Sequence, residues 1–179
     1  KNFFKIRQRE IKNVLEVGPG PDAINVEFFL REGYTLDVLD ISKTVLEKIK
    51  KKFNEEDINF FNQDTINLNI NKRYDLIVCL GTFLHIPQHL ALIVMNNFYK
   101  HLTKGGYLII DFPIKSKMTL KKALWEGFYA LGHKIKSKIS MGFYVTCSAY
   151  TLEEIEDILK RTGFRLIARE KGIWLLKKF

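Results

Sequence analysis

Val14–Asp22 reads VLEVGPGPD, a short apolar run that contains one acid and ends in two closely spaced glycines. A helical pattern follows, and a second apolar run then closes on Asp40. A buried strand, a tight glycine turn, a helix and a second strand with a terminal carboxylate form the opening unit of nucleotide-binding α/β sheets. The stretch therefore predicts a cofactor pocket at the carboxyl ends of the first two strands.

The bulk composition fits one globular domain over residues 1–179, with 46% hydrophobic residues. No apolar run reaches the roughly 18 residues that a membrane helix needs. Cys79 and Cys147 stand in apolar surroundings and are too few for a disulfide framework, so we expect buried thiols and a cytoplasmic protein. The net charge of +9 would suit a polyanion such as nucleic acid, although a solvated lysine-rich face explains it equally well.

Apolar runs and helical patterns alternate along the first part of the chain, which predicts an α/β fold with a mostly parallel sheet. Strands are predicted at Lys12–Val17, Thr35–Leu39, Ile58–Phe61, Tyr74–Leu80, Tyr107–Phe112, Phe164–Arg169 and Ile173–Lys177. Helices are predicted at Ala23–Arg31, Gln88–Leu102, Thr119–Leu131 and Thr151–Arg161, and Ser42 is expected to cap a further helix that reaches Phe53. The last two strands are joined by a turn so short that they must be antiparallel.

Local patterns refine these elements. Ile24, Phe28 and Phe29 are expected to form the buried stripe of the first helix. Thr151 and Glu154 have the spacing of a capping box at the start of the last helix. A glycine turn at 104–106 is expected to precede the fifth strand.

The acids beside the glycine turn indicate which cofactor the pocket takes. Asp40 follows Gly18 by 22 positions, where a carboxylate meets the ribose hydroxyls of a bound nucleotide. Glu16 comes just before the turn, and we expect it to point a carboxylate into the loop region. That charge would repel a pyrophosphate and accept a ligand with a sulfonium and an amino group, which disfavours a nicotinamide-dependent oxidoreductase.

With these features in place, the chain resembles the class I S-adenosylmethionine-dependent methyltransferases over nearly its whole length. Five motifs carry the resemblance in the family's order: Glu16–Gly20 (EVGPG), Leu39–Ser42 (LDIS), Asn62–Thr65 (NQDT), Tyr74–Val78 with Gly81 and His85–Pro87, and Lys104–Leu108 (KGGYL). The resemblance implies a three-layer Rossmann-like fold whose seven-stranded sheet is mostly parallel, with one antiparallel strand near the C-terminus.

The resemblance also implies a cofactor, S-adenosylmethionine or S-adenosylhomocysteine, and the residues that bind it. In the family the acid at Asp40 binds both ribose hydroxyls, while the acid at Asp64 and a neighbouring backbone amide serve the adenine. The implied binding residues are Glu16, Gly18, Pro19, Gly20, Asp40, Ile41, Asp64, Thr65, Leu80 and Gly81. Asp22 replaces the last glycine of the family's G-x-G-x-G pattern, so it either approaches the methionine amino group or caps the following helix.

Methyl transfer from a sulfonium needs positioning above all, and a base only where the acceptor must lose a proton. His85 is the candidate base, because it follows strand four at the edge of the sheet where ligands bind. A structural histidine in that loop is the alternative. No spacing of histidines and cysteines indicates a metal site.

The acceptor is expected to be a small molecule. Leu80–Phe83 (LGTF) stands where enzymes that methylate nucleic-acid amino groups carry Asn/Asp-Pro-Pro-aromatic. Residues 114–147 interrupt the β–α alternation with seven lysines and several aromatic residues, so we expect them to cover the acceptor side and to suit an anionic or aromatic acceptor. An RNA or protein methyltransferase, and a catalytically silent binding module, are the alternatives; the oligomeric state stays open.

Overall fold

The computed structural model describes residues 11–53, 58–115 and 148–179. Its strands are β1 Asn13–Val17, β2 Thr35–Leu39, β3 Asn59–Phe61, β4 Tyr74–Cys79, β5 Leu102–Asp111, β6 Phe164–Glu170 and β7 Ile173–Lys178. Its helices are α1 Ile24–Arg31, α2 Lys43–Phe53, α3 Ala91–His101 and α4 Leu152–Thr162. Among the described residues no helix has the length and apolar character to cross a membrane. The expected cover falls almost wholly on residues 116–147, outside the described residues.

The strands form one seven-stranded sheet in the order β3-β2-β1-β4-β5-β7-β6. β1 to β5 pair in parallel, whereas β7 is antiparallel to both β5 and β6. The turn from β6 to β7 places Lys171 and Gly172 at positive φ, which lets the chain reverse within two residues. The predicted fold, a mostly parallel sheet with one antiparallel strand near the C-terminus, is confirmed.

Each face of the sheet packs against two of the described helices, which makes three layers. Val14 and Leu36 point to the core under α1 and α2, and their neighbours Leu15 and Val17 point to the core under α3 and α4. Both faces of the central strands are therefore covered, which explains why their sequences are almost continuously apolar.

The buried face of α1 differs from the prediction. Val26 and Phe29 are buried in this helix, while Ile24 is 74% exposed and Phe28 is 43% exposed. At 100° per residue, Ile24 and Phe28 lie on the side of the helix opposite Val26. The predicted stripe was therefore wrong for two of its three residues, because two apolar stripes compete on this short helix and the sheet covers the other one.

The glycines before strand five also act differently from the prediction. β5 begins at Leu102, and its register with β4 steps from Tyr74–Leu102 directly to Leu76–Tyr107. The expected turn is thus a bulge within β5, in which Gly105 takes a φ of 80°.

The capping box of α4 is confirmed, with Thr151 and Glu154 exchanging side-chain and backbone hydrogen bonds.

A buried carboxylate in the middle of β2 ties that strand to the amino ends of β3 and β4. Asp37 of β2 is fully buried and accepts hydrogen bonds from Asn59 Nδ2 at 2.9 Å, Lys72 Nζ at 2.8 Å and the Tyr74 hydroxyl at 2.8 Å. Burial, together with the Asp37 carboxylate, raises the pKa of Tyr74 well above its usual range. This network holds β2, β3 and β4 together on the side of the sheet away from the carboxyl ends of the strands.

We predict that Asp37→Ala lowers the free energy of unfolding by about 3 kcal/mol, since it leaves a cation and a hydroxyl without their buried partner. Urea denaturation would measure this. Asp157→Ala is the control, because it breaks an exposed ion pair with Arg161 on α4 and should cost about 0.5 kcal/mol or less. Equal losses in the two variants would contradict a structural role for the Asp37 network.

Candidate cofactor site

A cavity of about 550 Å³ opens at the carboxyl ends of β1, β2 and β4. This edge of a parallel sheet is where α/β proteins bind their ligands. The described residues that line the cavity are Val17, Gly18, Gly20, Leu39, Asp40, Ile41, Gln63, Asp64, Thr65, Ile66, Gly81, Thr82, His85, Ile86 and Pro87.

The glycine turn after β1 is held by contacts that only glycine permits. Gly18 has a φ of 64°, and a Cβ placed on it would lie 2.1 Å from Oγ1 of Thr82. That hydroxyl donates to the carbonyls of Val17 at 3.3 Å and Gly18 at 3.0 Å. Gly20, with a φ of 67°, has nothing within 4 Å of its Cβ position, so the outer side of the turn is open space.

Asp40 lies at the tip of β2 with its carboxylate half-buried in the cavity wall. Its Oδ1 accepts a hydrogen bond of 2.7 Å from the backbone N–H of Ser42. Burial raises the pKa of Asp40, and the Ser42 N–H partly offsets that rise. Its Oδ2 accepts no hydrogen bond from the described residues. Ile41 follows and is 69% exposed, so an apolar surface lies next to the carboxylate.

The turn after β3 forms the next part of the wall. Oδ1 of Asp64 accepts from the Ile66 N–H at 2.9 Å and thereby starts a short 3-10 turn over Thr65–Asn67. From α3, Nδ2 of Asn97 donates to the carbonyls of Thr65 at 2.9 Å and Ile66 at 2.8 Å. The turn is fixed from within and from the helix beside it.

The loop after β4 closes the wall on the side of the candidate base. Both carboxylate oxygens of Asp111, at the end of β5, accept from the Gly81 N–H at 3.0 Å. His85 stands in a 3-10 turn over Phe83–His85, with an exposed side chain on the cavity wall. Its exposure leaves the ring accessible to a ligand, and no described carboxylate forms an ion pair or hydrogen bond with it.

The structure brings most of the predicted site residues together and leaves others apart. The residues that share the cavity wall are Gly18, Gly20, Asp40, Ile41, Asp64, Thr65, Gly81 and His85. Pro19 and Leu80 are not on the wall, and Leu80 packs against the core under α1 and α2. Sequence reasoning missed Thr82 and Asp111, whose roles depend on contacts between distant segments and leave no local signal.

Glu16 does not point into the loop region as expected. Residues alternate across a strand, so Val17 takes the cavity side and Glu16 turns toward α1, where it is fully buried. Asn25 Nδ2 donates to its Oε1 at 2.9 Å, while Oε2 is buried without a partner among the described residues. Burial raises the pKa of Glu16 to about 8, against a smaller opposing effect of Asn25. Burial thus favours the protonated, uncharged form of this carboxyl in the folded state.

Asp22 fits neither interpretation of its sequence position. Its side chain is exposed and off the cavity wall, and its carbonyl accepts from Lys52 Nζ at 2.9 Å. The residue before α1 is Ala23, which takes a left-handed φ of 52° and is fully buried. Ala23 thus adopts the left-handed backbone conformation that a glycine would usually supply at this turn.

Among the described residues, no cluster of His, Cys, Asp and Glu could hold a metal ion.

Comparisons with known proteins show the family of the chain. Residues 1–169 match the family described as "Methyltransferase domain". Malonyl-[acyl-carrier protein] O-methyltransferase 1 of Ilyobacter polytropus is 33% identical over 168 residues, which cover 92% of this chain and 57% of that protein. The chain thus spans little more than half the length of this curated relative.

Solved structures share the fold at low sequence identity. A methyltransferase structure from Methanosarcina mazei has a TM-score of 0.71 at 15% identity, over 95% of this chain and 93% of that one. Magnesium protoporphyrin IX methyltransferase from Synechocystis, with bound S-adenosylhomocysteine, has a TM-score of 0.67 at 18% identity, over 93% and 74% of the two chains. The chain belongs to the methyltransferase-domain family, with the fold of the class I S-adenosylmethionine-dependent methyltransferases.

We predict that Gly18→Ala destabilises the protein more than Gly33→Ala. Both glycines have positive φ, which costs an alanine about 1–2 kcal/mol, but only Gly18 would also press a Cβ into Thr82. The collision should add about 1–3 kcal/mol. Thr82→Ala added to Gly18→Ala should recover the part due to collision, measured by urea denaturation. Equal losses at both glycines would contradict the close approach.

We predict that Glu16 makes the fold less stable as the pH rises. The unfolded state loses this proton near pH 4.5, whereas the folded state keeps it up to about pH 8. Between those values the unfolding free energy of the wild type should fall, relative to Glu16→Gln, by up to about 1.4 kcal/mol per pH unit. This loss of unfolding free energy is absent below pH 4.5 and reaches its full size above about pH 8. If the unfolding free energies of the two proteins instead change with pH in the same way, the folded state does not hold the Glu16 proton and the prediction is wrong.

Proposed function

We propose that this domain transfers a methyl group from S-adenosylmethionine to a small-molecule acceptor. The single observation that carries the proposal is the wall of the cavity, where the glycine turn, Asp40 and Asp64 meet at the ends of three neighbouring strands. The open space beside Gly20 and the available Oδ2 of Asp40 leave room and an acceptor for a ligand with hydroxyl groups. These residues fit the cofactor of the family.

Each part of the wall suits one part of the cofactor. Asp40 would accept from the ribose hydroxyls, and the Gly18–Gly20 turn would lie against the methionine portion. Asp64 and the backbone of Thr65 would bind the polar edge of the adenine, while Ile41 and Ile66 offer apolar surface to its ring. The bound cofactor supplies an already activated methyl group, so the protein's contribution is orientation and exclusion of water.

The acceptor is proposed to enter on the side of His85, Ile86 and Pro87. Ser148, the first described residue after the 116–147 segment, lies there, since its N–H donates to Leu84 O at 2.7 Å and its Oγ to Ile86 O at 2.6 Å. This supports residues 114–147 as the acceptor-side part of one domain over residues 1–179. His85 would take a proton from an acceptor that has one to lose.

The acceptor is proposed to be small, or a small group carried on a larger molecule. The relatives named above are methyltransferases of malonyl-[acyl-carrier protein] and of magnesium protoporphyrin IX, which supports this class. The aromatic and lysine residues at 114–147 would suit an anionic or aromatic acceptor. The buried thiol of Cys79 supports a reducing location such as the cytoplasm.

We predict that calorimetry detects binding of S-adenosylhomocysteine and no comparable binding of NAD. Asp40→Ala should weaken the binding at least about tenfold, because hydrogen bonds to a charged group contribute roughly 1.5–3 kcal/mol each. Asp22→Ala is the control, since Asp22 is exposed, lies off the cavity wall and, among the described residues, hydrogen-bonds through its carbonyl alone. A wild-type protein that binds NAD in preference, or an Asp40→Ala variant with unchanged affinity, would overturn the proposal.

A further inference from the structure

The loop that carries Asp40 begins where the pairing of β2 with β3 ends. Their parallel register runs as far as Leu39–Phe61, and the Asp40 N–H then donates to Phe61 O at 3.1 Å. The next carbonyls along, those of Asp40 and Ile41, lie beyond the end of the ladder. Backbone carbonyls in such a position need another donor or water.

A single side chain supplies that donor for both carbonyls. Nδ2 of Asn62, the first residue after β3, donates to the Asp40 carbonyl at 3.0 Å and to the Ile41 carbonyl at 2.8 Å. A carboxamide has two N–H groups, so one nitrogen can satisfy both acceptors. Asn62 therefore continues the attachment of β2 to β3 past the last backbone pair.

Asn62 acts on the cavity without being part of its wall. Its side chain is exposed and absent from the lining, whereas Asp40 and Ile41 both line the cavity. With the Ser42 N–H bound to Oδ1, the Asp40 turn is held through its carboxylate on one side and through its carbonyls on the other. None of these hydrogen bonds uses Oδ2 of Asp40.

We propose that Asn62 is a positioning residue for the nucleoside end of the cofactor, acting through Asp40 and Ile41. The inference rests on the proposed function, because it concerns the same site. Asn62 fixes the turn before the ligand arrives, so binding does not have to order it. Asn62 is absent from the lining of the cavity, so its expected effect is on binding rather than on the transfer step.

Calorimetry with S-adenosylhomocysteine and with adenosine tests this proposal. Asn62→Ala should weaken both ligands by a similar factor of about tenfold, since two hydrogen bonds that order the turn are lost. Asn62→Asp keeps the shape of the side chain and removes the donors, so it should bind no better than Asn62→Ala. Asn71→Ala is the matched control, an exposed asparagine off the cavity wall, and should bind like the wild type.

A double-mutant cycle separates positioning from general stability. In an Asp40→Ala background, Asn62→Ala should weaken S-adenosylhomocysteine only about twofold, because the carboxylate that it positions is gone and only its effect through Ile41 remains. Losses that multiply in full, or an Asn62→Ala variant with wild-type affinity, would overturn the inference while the wild type still binds. A wild type that binds neither ligand would instead overturn the proposed function, and the inference with it. Urea denaturation of each variant verifies that it is folded.

Discussion

Parallel strands leave backbone carbonyls without ladder partners at the edge of the sheet where they end, and this protein satisfies several of them with side chains. Thr82 binds the carbonyls of Val17 and Gly18, and Asn97 binds those of Thr65 and Ile66. In both places one polar group reaches two successive carbonyls from a different segment of the chain. The loops around the cavity are therefore held by contacts between segments in addition to hydrogen bonds within each loop.

The same edge holds the polar groups of the cavity in fixed orientations. Ser42 and Ile66 donate backbone N–H groups to one oxygen of Asp40 and of Asp64. Asp111 fixes the loop after β4 by receiving the Gly81 N–H. A site preorganised in this way spends little free energy on ordering when a ligand binds, which suits a reaction that depends on orientation.

The strands, and the glycine turn, Asp40 and Asp64 on the cavity wall, could be predicted from sequence because their signals are local. Apolar runs, the glycine pair and the acid at the end of β2 each occupy a few adjacent residues. The direction of Glu16 could not be predicted in this way, because it depends on which side of β1 faces α1. The buried face of α1 was likewise ambiguous, since Ile24 and Phe28 form an apolar stripe as regular as the one the sheet covers. Thr82 and Asp111 gave no signal because their partners are far away in the chain.

The position of β7 links the order of synthesis to the order of folding. β7 follows β6 along the chain, yet it lies inside the sheet, between β5 and β6, and buries Trp174, Leu175 and Leu176. While the ribosome has released only the residues before 173, β5 is an unpaired edge and β6 has no neighbour on which to dock. A nascent chain at that stage exposes apolar surface of the kind that chaperones bind. The sheet can close only once the chain has emerged through Lys178.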